Sequence, residues 1–234
     1  MKQTLSTRAL LACGAVAGPL YVTVTLIQAL TREGFDMKHH RFTYLTTGEL
    51  GWIHQANMIL VGLLTVLLAL GVRRVLSTGR GSVWAPRLLL LFGLAYVFGG
   101  LLRADPVVGF PPGTTVEMAQ KTWQGVVQNA SRGVSTVLLV ATSLVLAARF
   151  AAEGRRAFAW LSGFSVPLAF AALAVLGLAL GTNPGAVGFL AMPWVCVTAL
   201  AVLVYRIDSV SRGLTPRPTS PRPALGSAPG SQPG

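Results

Sequence analysis

The chain has 234 residues, of which 53% are hydrophobic and 11% are charged. Soluble domains carry roughly 25% charged residues, so an ordinary soluble globule is excluded and the surplus apolar surface has to face lipid. The formal net charge of +12 invites a nucleic-acid partner. However, the basic residues sit in short loops and a tail beside apolar runs, with no basic helix or aromatic-interleaved patch, so no nucleic acid is expected. They are read as topology signals with an affinity for membrane lipids, worth roughly 1 kcal/mol per residue near an anionic surface.

Six apolar runs predict an all-α, polytopic membrane protein, a six-helix transmembrane domain over residues 1–206. The first span, 9–30, is uncharged and holds Cys13. The stretch Leu10-Leu11-Ala12-Cys13 resembles a lipoprotein processing box, but it lies too close to Arg8 for a signal core of about 7–15 apolar residues. Cys13 is therefore read as a packing residue. The other cysteine, Cys196, also falls in an apolar run, which argues against a disulfide framework.

A polar outer segment from Thr31 to Leu50 carries His39 and His40, and the second span covers 51–72, ending at Arg73-Arg74. A basic connector follows, with Gly79, Gly81 and Pro86 as breakers. The third span, 88–102, is short, with Arg87 and Arg103 placed to snorkel from its ends. A second outer loop, Asp105 to Lys121, leads to the fourth span, 123–148. The fifth span, 157–181, contains Pro167, which should kink it. An uncharged outer loop separates it from the sixth span, 189–205. Residues 207–234 are Pro-, Ser-, Gly- and Arg-rich and are expected to form a disordered cytoplasmic tail.

Of the 19 Lys and Arg residues, only Arg32, Lys38, Arg41, Arg103, Lys121 and Arg132 fall on the predicted outer side. The acids Glu33, Asp36, Glu49, Asp105 and Glu117 accompany them. A cationic inner side places both termini in the cytoplasm. Each outer loop also carries a Gly-Phe pair: Gly34-Phe35, Gly109-Phe110 and Gly188-Phe189. A repeated hairpin would explain them, and so would chance in a chain with 26 glycines.

Candidate chemistry gathers on the outer side. Asp36, His39, His40, Glu49 and His54 are near in sequence, but their spacing fits no closed metal motif, and no metal or cofactor is expected. Solvated residues pairing with Arg32, Lys38 and Arg41 are the plainer reading. A haem would need axial histidines on facing helices, and all three histidines lie near one loop. His54 and Asn57 share one helical face and should point away from lipid. Gln124, Gln128 and Arg132 form a stripe at i, i+4 and i+8, with Ser135 beside them and Asn129 nearby. An Arg inside a span calls for a partner, with Asp105 or Glu117 expected.

The run Gly14 to Leu20, then Arg32-Glu33-Gly34-Phe35-Asp36, Gly48 to Ile53 and Asn57 resemble the DUF998 family of bacterial integral membrane proteins of unknown function. Arg103-Ala104-Asp105-Pro106 and Phe110 to Thr114 resemble that family's second outer segment. The resemblance covers residues 14–205 and implies six spans. It also implies a departure, since members often carry His near the start of the fourth span, where this chain has Gln124 and Gln128. The preponderance of Arg over Lys suits a GC-rich bacterial genome and hence the bacterial inner membrane.

The expected function is binding of a lipid headgroup or small amphiphile in an outward-facing polar pocket, or support of a membrane complex. The pocket residues would be His54, Asn57, Arg103, Asp105, Gln124, Gln128 and Arg132. An alternative is an enzyme acting on a lipid or isoprenoid, with Asp36, Glu49 or Asp105 as a general acid whose pKa burial raises. A transporter ranks third, because the inner halves of the spans hold almost no polar residues. Phosphate loops, nucleophile elbows, CxxC pairs and paired Asp-rich motifs do not stand out.

Overall fold

The computed structural model describes residues 6–164, Ala171, Val175, 197–200, Val202 and 204–207. Most of the predicted fifth span including Pro167, the third outer loop, most of the sixth span, Gly188-Phe189, Cys196 and the tail lie outside the described residues. The described chain is helical. Its regular elements are α1 (Thr7–Thr31), α2 (Gly51–Val75), α3 (Trp84–Leu101) and α4 (Trp123–Ala152), with a short 3-10 turn at Phe42–Thr46. Residues 156–164 continue as helix, and a further helical stretch falls within Val197–Ile207.

All four named helices are long and apolar enough to cross a membrane. The shortest, α3, has 18 residues, and α4 has 30, about 45 Å against a hydrocarbon layer of about 30 Å. Large apolar side chains such as Leu60, Leu63, Leu91, Leu94, Phe98 and Val137 stand exposed along the helix flanks, an amount of apolar surface that suits lipid and not water. Four exposed tryptophans mark the two ends. Trp52 and Trp123 open α2 and α4 beside the long loops, whereas Trp84 opens α3 at the opposite end, beside the connector 76–83, and Trp160 lies in the helical stretch that follows the end of α4. Amphipathic indoles at both ends form the belts expected at membrane–water interfaces. We refer to these as the loop end and the connector end.

The third helix begins at Trp84, not at Leu88, so Pro86 and Arg87 are helical. Pro86, expected to break the chain here, instead lies in the first turn of α3, where a proline sacrifices no intrahelical hydrogen bond. Pro19 lies inside α1 without ending it.

Packing centres on α2, which is covered on either side by α1 and α3, while α4 packs on α3. Where α2 and α3 cross, a Cβ built on Gly62 would lie 2.7 Å from the Gly93 carbonyl oxygen, and one on Gly93 would lie 2.8 Å from the Gly62 oxygen. Two glycines thus let the backbones touch, the usual device for helices that cannot draw on a hydrophobic driving force between themselves in lipid. The apolar core beside this crossing includes Met58, Val61, Leu68, Leu89, Phe92, Leu139 and Phe150.

Candidate functional site

The loop end is built on two arginines. Arg32 caps α1 and donates from its guanidinium to the carbonyls of Leu45 (2.7 Å) and Thr47 (2.6 Å), while lying 4.9 Å over the Phe110 ring. It therefore pins the first loop to the second. Around it packs a cluster of Phe35, Phe42, Leu45 and Phe110, with His40 and Tyr44 at its edge. Gly34 and Gly109 both adopt positive φ (76° and 84°), and the phenylalanines that follow them meet edge-on at 5.2 Å. Two of the three Gly-Phe pairs are thus one structural device, in which glycine turns the chain and phenylalanine closes the two loops together.

Arg132 lies beneath these loops. Its guanidinium donates to the Tyr21 hydroxyl at 3.3 Å and sits 5.2 Å from the Tyr96 ring centroid. This differs from the expected ion pair. Asp105 instead accepts from the Thr122 amide (3.0 Å) and hydroxyl (2.6 Å), fastening the second loop to the start of α4, and Glu117 is met by the Thr115 hydroxyl. Thr122 and Arg132 are ten residues apart, about 15 Å along the helix, and a carboxylate that caps the helix cannot reach that deep. Aromatic rings serve the cation in its place, an interaction worth about 2 kcal/mol or more when desolvated.

Around Arg132 the helices contribute a buried polar layer. Tyr21 and Thr25 come from α1, His54 and Asn57 from α2, Tyr96 from α3, and Gln128 and Ser135 from α4, all buried. The Gln128 amide donates to the Thr46 hydroxyl and to the carbonyls of Gly99 and Leu102, and Thr46 in turn receives the Ala104 amide. Gln128 is thus the tie between α4, the end of α3 and the first loop. Asn57 donates to the Tyr21 carbonyl and the Thr25 hydroxyl. The His54 ring stands 5.8 Å from that of Tyr21 and is fully buried, with neither nitrogen hydrogen-bonded among the described residues. Among the described residues the side-chain oxygens of Gln28, Asn57 and Gln128 are likewise buried without a partner. Buried groups of this kind normally find a partner in protein or ordered water.

Other expected pocket residues lie apart from this layer. Each four-residue step along a helix advances about 40° around its axis, so the stripe rotates from exposed Gln124 through buried Gln128 to half-buried Arg132. Asn129 is exposed and bonds back to the Gly125 carbonyl. Asp36 and Glu49 are exposed. Asp36 pairs with the His39 ring (2.6 Å) and accepts from the Lys38 amide, and does not bind the Arg32, Lys38 or Arg41 side chains. Those two hydrogen bonds hold its carboxyl below the usual carboxylate pKa, opposite to the shift expected for a general acid. Among the described residues no three His, Cys, Asp or Glu side chains gather as metal ligands.

Arg103 borders a separate space, a cleft of about 440 Å³ between the two loops. Its lining includes Thr47, Arg103, Ala104 and Thr114 together with Pro111, Pro112 and Met118. The cleft roofs the buried layer, because Thr47 and Ala104 adjoin the Thr46–Gln128 tie. Residues missed from sequence are Tyr21, Tyr96 and Thr46. Tyrosine inside an apolar run looks like core, and a signal was available only in their pairing with a span arginine.

A chain of apolar, bilayer-length helices around a polar layer at one end defines an all-helical protein suited to repeated crossing of a membrane. A family model described as "Protein of unknown function (DUF998)" matches residues 15–208, and the chain belongs to that family. No curated protein and no solved structure matches it.

Proposed function

We propose that this is a bacterial inner-membrane protein with six spans and cytoplasmic termini that binds a lipid headgroup or small amphiphile at its loop end. The observation that carries the reading is the roughly 440 Å³ cleft, with exposed Arg103 on one wall and Pro111, Pro112 and Met118 on another. A guanidinium beside apolar surface offers an anionic head a charge-assisted hydrogen bond and offers its apolar portion a place out of water. The layer below, where His54 and the side-chain oxygens of Asn57 and Gln128 have no hydrogen-bond partner among the described residues, supplies spare hydrogen-bonding capacity. Catalysis by the outer carboxylates has less support, because Asp36 is held ionised and Asp105 is committed to Thr122.

Native mass spectrometry from nanodiscs tests this reading, with wild type beside Arg103→Ala and the cleft-filling Met118→Trp. A discrete adduct on wild type, lost or weakened about tenfold in both variants, is expected, which corresponds to roughly 1.4 kcal/mol. An adduct that survives both changes, or none on wild type, would sink the idea and leave a scaffold role in a membrane complex.

A further inference from the structure

A second cavity, of about 360 Å³, lies at the opposite end, where α2 runs out and α3 begins. Arg73 and Arg87 line it, with Ser77 and Ser82 beside them and Leu70 and Leu90 leading from it along the helix flanks. Both arginines are exposed, and among the described residues neither forms an ion pair with a carboxylate. Glu153 is the described acid at this end, and it is engaged by Arg149 and Arg155.

The groove is built, not frayed. Arg149 of α4, only 6% exposed, donates to the carbonyls of Thr78 (2.7 Å) and Arg80 (3.0 Å), and Leu76 is fully buried. That fixes the connector that forms one wall. On the other wall, α3 starts without a side-chain cap and without an acid in its first turn. The Ala85 amide is taken by the Gly81 carbonyl and Pro86 carries none, so it is the positive end of the helix dipole that faces the same region as the two guanidinium groups. Trp84, 60% exposed and 6.0 Å from the Arg87 guanidinium, puts this rim at interfacial depth.

We propose that this groove binds an anionic glycerophospholipid of the leaflet at the connector end. The phosphate would lie between Arg73 and Arg87 within reach of Ser77 and Ser82, and an acyl chain would run along Leu70 and Leu90. The argument is charge complementarity on an apolar ramp. Two unpaired cations, two hydroxyls and a helix N-terminus match a phosphodiester, and a basic pocket between spans is a common seat for such headgroups. This site is separate from the loop-end cleft and does not depend on it.

The test is lipid competition by native mass spectrometry on the full chain, using dioleoyl phosphatidylglycerol against dioleoyl phosphatidylcholine. Wild type should prefer the anionic lipid by roughly tenfold to thirtyfold, from two basic contacts. The double variant Arg73→Gln/Arg87→Gln should lose that preference, whereas Arg8→Gln/Arg80→Gln, which removes the same charge outside the groove, should keep it. Ser82→Glu leaves every arginine in place and should also abolish the preference, so a folding or topology defect in the double variant does not decide the matter. Equal loss in Arg8→Gln/Arg80→Gln would mean diffuse attraction and overturn the site. So would retention in Ser82→Glu, or no preference in wild type. Displacement by soluble glycerol 3-phosphate at equal concentration would show a free-phosphate site and overturn the lipid as occupant.

Discussion

His40 sits half-buried against Phe35 and Phe110, and its Nδ1 accepts the backbone amide of Asp36 at 3.0 Å. An accepting Nδ1 places the ring proton on Nε2 and favours the neutral imidazole. Burial pulls the pKa of His40 below its ordinary 6.5, with the His39 charge adding to this and the Asp36 charge opposing it. A group whose folded pKa is depressed stabilises the fold fully above its unfolded pKa, and that contribution fades as pH falls toward the folded value. The Asp36 carboxylate, also depressed, stays ionised through that window and loses its contribution only below the usual 3.8. Amide protection factors across residues 35–44, which remove the intrinsic slowing of exchange at lower pH, should therefore fall between pH 7.5 and pH 5, and His40→Phe should flatten the dependence. An unchanged slope in His40→Phe would assign the effect to another group. At this scale the site was only partly legible. His54, Asn57 and Gln128 announced themselves as polar residues in apolar runs, whereas the partners of Arg132 did not. Sequence points an arginine toward carboxylates, and only the fold shows that Asp105 is spent on Thr122 while two tyrosines stand at the required depth.

Among the elements, the α2–α3 crossing is the tightest, and its glycines make opposite predictions from glycines elsewhere. Gly62→Ala drives a methyl onto the Gly93 carbonyl, which is backbone and cannot swing aside. A loss of about 1–3 kcal/mol is expected, as for overpacked sites generally. At Gly133 of α4 a Cβ meets nothing within 4 Å, so Gly133→Ala should be neutral or should gain up to about 1 kcal/mol from helix propensity. Unfolding in mixed micelles reports both, and a Gly62→Ala protein as stable as wild type would refute the close-contact account. Helix positions were largely legible, because spans of 20 or more apolar residues need no tertiary information. The start of α3 was not, since Pro86 reads as a breaker until it is known to occupy the first turn. The two Gly-Phe pairs were visible, but their meeting was not, because it depends on how two loops 75 residues apart fold over one another.

Arg149 connects distant parts of the molecule at the connector end. It belongs to α4, ion-pairs with Glu153 at 3.0 Å, holds the connector through Thr78 and Arg80, and lies 5.8 Å from the ring of Tyr205. One buried guanidinium therefore joins three stretches of chain far apart in sequence, and the connector it secures contains Arg80, a site for trypsin, while Arg73-Arg74 lie in the last turn of α2. Charged hydrogen bonds contribute about 1.5–3 kcal/mol each, so Arg149→Met should release the connector locally while the glycine crossing keeps α2 and α3 together. Trypsin should then cut after Arg80 much faster in the variant than in wild type. The sidedness of that cut also tests the whole-molecule reading. If the cationic end faces the cytoplasm, cleavage occurs in inside-out vesicles and not in spheroplasts, in keeping with the bias of basic residues toward untranslocated segments. Cleavage from the periplasmic face would invert the topology and carry the loop-end cleft to the cytoplasmic side. Equal resistance of variant and wild type in both preparations would show that Arg149 is not what holds the connector.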